Sequence, residues 1–75
     1  MDSLVGHVAI VVNGTARMGC PAQARVKTEQ GQTFYIHVEP DSETVQFASG
    51  DSVLLVKQIF GAKFIGIANP RPDIL

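Results

Sequence analysis

Between Ala24 and Glu39 two runs of strict alternation flank a single glycine. Ala24, Val26 and Thr28 alternate with Arg25, Lys27 and Glu29, and Phe34, Ile36 and Val38 alternate with Tyr35, His37 and Glu39. A period of two belongs to a strand with one buried and one solvated face, whereas a helix would scatter the same apolar residues around its circumference. The two runs therefore predict an antiparallel hairpin. A three-residue loop, Gln30-Gly31-Gln32, pairs Val26 with Ile36 and Lys27 with Tyr35 and keeps each face uniform. A two-residue loop would set Lys27 against Phe34 and mix charge into the apolar face. On this register Phe34 points inward, and Arg25, Lys27, Tyr35 and His37 form an outer face.

Three further segments carry strand signals, and none of the chain holds a sustained 3.6-residue period. Residues 5–12 have aliphatic side chains on both faces around His7, as suits a strand curling through a barrel. Asn13-Gly14 ends this strand, and Gly19 and Pro21 make residues 15–22 a reorienting loop. After Pro40-Asp41-Ser42 the connection to Asp51 is long enough only for a turn or one short helical turn, with Val45 and Phe47 plugging one end of the barrel. Residues 52–60 form the fourth strand, whose Val53-Leu54-Leu55-Val56 centre is apolar on both faces, and Gly61 turns it into a fifth over residues 63–68. Pro70 and Pro72 stop further pairing. Five short strands without a long crossover predict an all-β chain closed into a five-stranded OB-type barrel, since closure removes exposed edges; an SH3-like barrel is the alternative. The expected organisation is a leader or added residues at 1–3, the barrel domain at 4–69 and a tail at 70–75.

With 75 residues there is room for one core, and a domain of this size buries only about 60% of its unfolded surface. The 45% hydrophobic content and mean hydropathy of +0.17 lean apolar for so small a domain, so some of that surface is available to a partner. Six basic against seven acidic residues argue against a general polyanion binder. The single cysteine, Cys20, excludes an intramolecular disulfide and fits a reducing compartment. No apolar run approaches the roughly 18 residues that would cross a bilayer.

The candidate reactive groups do not add up to a catalytic set. Cys20 would need His7 or His37 as a base, yet it stands in a Gly-Cys-Pro turn with no helix N-terminus to activate it. His37 and Glu39 share a strand face and could offer two metal ligands, with His7 as a possible third, but a solvated polar face accounts for them better, because zinc sites usually need at least three convergent protein ligands. Asp41 and Glu43 fall in a turn, where carboxylates are common, and no phosphate loop, dinucleotide fingerprint or nucleophile elbow is present. No catalytic residue, metal or cofactor is expected. Single-strand nucleic-acid binding would need exposed aromatics in a basic groove. Of Phe34, Tyr35, Phe47, Phe60 and Phe64, only Tyr35, beside Lys27 and Arg25, is expected outside.

The opening Val5-Gly6-His7-Val8 strand, Gly14-Thr15-Ala16-Arg17, Pro21-Ala22-Gln23-Ala24-Arg25-Val26, Gly31-Gln32-Thr33 with Tyr35, and Gly50-Asp51-Ser52-Val53-Leu54-Leu55-Val56 together resemble the soluble C-terminal OB domain of NfeD-like bacterial membrane proteins. The YqiJ-type inner-membrane proteins are the nearer likeness, over residues 4–68. The resemblance implies a non-catalytic scaffold or interaction module. It would be carried by transmembrane helices outside this segment, held at the inner membrane on the cytoplasmic side, and paired with a flotillin- or stomatin-like membrane protein or with itself. Arg25, Lys27, Tyr35 and His37 are the candidate partner-binding residues, because tyrosine and arginine anchor interfaces well. An oligonucleotide-binding OB domain is the other reading.

Overall fold

A computed structural model describes residues 4–69. The expected leader at 1–3, the tail with Pro70 and Pro72, and the expected placement of the Phe60 ring lie outside what it describes. Seven strands follow in order: β1 (Val8–Asn13), β2 (Ala16–Arg17), β3 (Ala22–Lys27), β4 (Thr33–Pro40), β5 (Gln46–Phe47), β6 (Ser52–Phe60) and β7 (Lys63–Ala68). The five longer strands close a barrel in the order β1-β3-β4-β7-β6, and β6 returns to β1 through Val8 with Leu54 and Ala9 with Val53. Every barrel pair is antiparallel except β4 with β7, which runs parallel from His37 beside Lys63 to Pro40 beside Gly66. Closure of the fourth barrel strand onto the first, with the third and fifth parallel, is the OB arrangement and sets aside the SH3-like alternative.

The interior follows from alternation. Ala9 and Val11, Ala24 and Val26, Ile36 and Val38, Val53 and Leu55, and Phe64 all turn inward from the five barrel strands and are buried. One end of the barrel is sealed by the 41–51 connection, which forms no helix. Ser42 Oγ accepts the Thr44 N–H at 3.2 Å, after which β5 pairs with β2 as a separate two-stranded sheet. Phe47 of β5 enters the core at 2% exposure, with Val45 packed against it, so the expected plug is present.

The hairpin register differs from the expected one. Val26 lies opposite Phe34, Arg25 opposite Tyr35 and Lys27 opposite Thr33. The loop does have three residues, but they are Glu29-Gln30-Gly31, closed by a Thr28 N–H bond to Gln32 O at 2.8 Å. Gly31 carries φ +85, and a three-residue hairpin loop requires such a left-handed residue last, not in the middle. Moving the loop back by one residue shifts each pairing by two, which leaves the faces intact. Phe34 is the second correction: it keeps the inward phase but is 41% exposed, because β4 at that point runs beyond the barrel wall. The first strand also begins later than expected, at Val8, since a turn closed by the His7 N–H on Leu4 O at 3.0 Å holds residues 4–7.

Two outer walls of contrasting character result. Along β3 and β4, Arg25, Lys27, Tyr35 and His37 are exposed. Along β1, β6 and β7, the outward positions are held by half-buried Val8, Ile10, Val12, Leu54, Ile65 and Ile67, with Val8, Leu54 and Ile67 in one cross-strand row.

Candidate functional site

The polar wall is built on the best-paired hairpin of the chain. Because the Thr28 N–H donates to Gln32 O, the alternate pair Arg25 with Tyr35 is a non-hydrogen-bonded one, in which side chains approach most closely. Tyr35 is 59% exposed, Lys27 faces Thr33, and His37 faces Gln23. Among the described residues no carboxylate lies within ion-pair distance of Arg25 or Lys27, so their charge is available to solvent or a partner. The strand alternation therefore brings all four expected residues onto one rigid face.

At the end of the barrel away from Phe47, the β3–β4 and β6–β7 hairpins extend past the wall and enclose a cleft of about 720 Å³. Phe34, Ile36, Phe64 and Leu4 supply its apolar lining, and Thr28 and Gln58 are among its polar residues. His7 also lines it; His7 Nδ1 and Thr28 Oγ1 are buried without a hydrogen-bond partner among the described residues. The cleft was not expected from the sequence. Its signal was unequal strand length: nine residues in β6 against six in β7, accommodated by register shifts between Leu55 and Lys57 and between Gln58 and Phe60. Val56 and Ile59, the residues skipped there, are left 40% and 38% exposed.

The remaining candidates are dispersed. Cys20 is an exposed free thiol in the turn joining β2 to β3, bonded through its main chain to Arg17, at the end of the barrel opposite His7. His37 lines a shallow groove with Pro21 and Gln23. Glu39 is only 8% exposed, and its Oε2 lies 3.2 Å from Lys63 Nζ, so it is engaged by a cation of its own chain. Among the described residues no three potential ligands converge on a metal position. Asp41 and Glu43 are exposed in the turn after β4. Phe47 and Phe64 are core residues, whereas Phe34 joins Tyr35 outside. These two are neighbours on one strand, so their rings leave by opposite faces and do not make a continuous stacking platform.

A family model described as inner membrane protein YqiJ, OB-fold, matches residues 3–67. Among solved structures, the chain is similar to the soluble domain of a membrane protein implicated in regulation of membrane protease activity from Corynebacterium glutamicum, with 25% identity and a TM-score of 0.58. That likeness covers 87% of this chain and 90% of the other. No curated protein sequence matches significantly.

Proposed function

The chain belongs to the inner membrane protein YqiJ OB-fold family, and from that membership we propose that its barrel, residues 4–69, is a non-catalytic docking module of a membrane protein. The module bears on membrane proteolysis by holding a partner, not by cutting one, in line with the regulatory description of the Corynebacterium glutamicum domain. Its partner is a flotillin- or stomatin-like membrane protein, its tether is transmembrane sequence outside this segment, and it faces the cytoplasm. The contact surface is the outer face of Arg25, Lys27, Tyr35 and His37. The observation that carries this reading is their joint exposure on one paired hairpin, with two cations unneutralised around a projecting tyrosine. A second copy is a further partner, received on the aliphatic wall of β1, β6 and β7.

The test is replacement of Arg25, Lys27, Tyr35 and His37 by serine in the full-length membrane protein, followed by co-purification of the stomatin-like protein from detergent-solubilised membranes. Capture should fall by at least about tenfold, as expected when interface anchors are truncated. Undiminished capture by a variant with native circular dichroism would remove the face from the contact.

The exposure of Phe34, at 41%, gives the oligonucleotide reading one observation in its favour. Phosphate contacts are strongest at low salt, so titration with a single-stranded oligonucleotide at low ionic strength separates the two. The docking reading expects no saturable binding.

A further inference from the structure

Part of the β4 backbone is unused by any other strand. The Thr28 N–H bond to Gln32 O sets the phase, so that Phe34, Ile36 and Val38 exchange main-chain bonds with β3, while Thr33, Tyr35, His37 and Glu39 direct theirs to the other side. At His37 that side is filled: its N–H donates to Ala62 O at 2.8 Å, and β7 runs alongside as far as Pro40. Before His37 no strand lies there among the described residues. Thr33 and Tyr35 thus present N–H and C=O groups along an open edge. The end cleft opens beside this edge, between Phe34, Tyr35 and Ile36 on one side and the Gly61-Ala62 turn on the other.

An open edge is a template for another strand. We propose that the 33–36 edge takes up an extended segment of a partner protein as an added strand, and that this segment alternates apolar with acidic side chains. The proposal rests on the docking reading above and narrows it to a chemistry. Strand alternation sends every second side chain of the guest into the cleft, against Phe34, Ile36 and Phe64, and the others over the outer face beside Tyr35. Those outer positions stand two strand spacings, about 10 Å, from Arg25 and Lys27. That separation is spanned by long side chains and is close to the screening length at physiological salt. Charge also decides between occupants: pairing this edge with its copy about Tyr35 would set Arg25 and Lys27 of both molecules on one surface, whereas an acidic guest reverses the interaction.

The test is a titration of the isotope-labelled chain, followed by amide NMR, with a blocked heptapeptide alternating glutamate and valine. The expected result is shift changes and slowed amide exchange centred on Thr33 and Tyr35. A lysine–valine heptapeptide should bind at least about tenfold more weakly, the scale of two exposed charge pairs. Combining Arg25→Glu with Lys27→Glu should invert that preference. Tyr35→Pro deletes an N–H that β3 does not use and should abolish binding. A glutamate–valine peptide N-methylated at alternate residues blocks the same bonds without touching the fold, and it too should not bind. Equal binding of the methylated and plain peptides, equal binding of the lysine and glutamate peptides, or shifts confined to other strands would each overturn strand addition. If strand addition fails while the four-serine variant still loses partner capture, the docking face stands by itself; if capture is also unaffected, both readings fall.

Discussion

Gly66 of β7 pairs with Pro40 of β4 and Leu55 of β6. A Cβ there would overlap Val53 Cγ1 and come within 3.1 Å of Val38 Cγ2 and 3.2 Å of the Leu54 carbonyl oxygen. Backbone and branched side chains surround the site, so a methyl group has no flexible neighbour to displace. Gly66→Ala should therefore cost about 1–3 kcal/mol through overpacking. Equilibrium urea denaturation checks this, and the double variant with Val53→Ala should lose less than the two single losses combined, because the second change removes the overlapping methyl. An effect within a few tenths of a kcal/mol for Gly66→Ala would show that the strands can separate there. The inward phase of Gly66 was legible, since it stands two residues from Phe64. Its packing role was not, because Ile65 and Ile67 make β7 apolar on both faces and erase the contrast that marks an interior position. Phe34 failed in the opposite way: alternation gave its phase correctly, but how far a strand outruns the barrel is a property of its neighbours' lengths.

Among the elements, the β3–β4 hairpin was the most legible, with its faces, its loop length and the exposure of Arg25, Lys27, Tyr35 and His37 all following from the period of two. The register missed by two because Gly31 was set at the centre of the loop when its positive φ belongs at the last loop position. The bulges of β6 were illegible for a related reason: an extra residue in one strand is defined only against its partner, and Val56 and Ile59 look like ordinary strand residues when read alone. The 41–51 connection yielded its plug but not its pairing, since the two residues of β5 are too few to show a period. Phe47 gives that short element its importance. It is 2% exposed, and Phe47→Ala should cost about 3–5 kcal/mol. At roughly 0.05–0.15 kcal/mol per residue that is a large share of the stability of a chain this short. The expected outcome is a variant largely unfolded at 37 °C by circular dichroism, with Phe47→Leu retaining most of the native signal. A fully cooperative, native-like melt for Phe47→Ala would mean that the β2–β5 sheet covers the barrel without sealing it.

For the whole molecule, the contrast between its two outer walls explains why so small a chain leans apolar. The polar wall of β3 and β4 needs no cover, whereas the row Val8, Leu54 and Ile67 is aliphatic on the outside as well as backed by Ala9, Val53 and Phe64 within. Barrel closure accounts for the inner set alone. Six outward aliphatic residues, each covering about 4.8 Å between strands by about 6.8 Å along one, make a footprint of roughly 200 Å², well short of the roughly 800 Å² per partner of a standard stable interface. Two copies meeting through this wall should therefore associate weakly in dilute solution and appreciably only when a shared membrane raises their effective concentration. Sedimentation equilibrium of the free chain should show monomer at micromolar concentration and reversible dimer towards millimolar. Leu54→Lys, which places a charge at the centre of the row, should remove the dimer without lowering thermal stability by more than about 1 kcal/mol, since the side chain is partly exposed and its charged end can reach solvent. Association that survives Leu54→Lys would assign self-contact to another surface and leave the aliphatic wall to a different apolar partner.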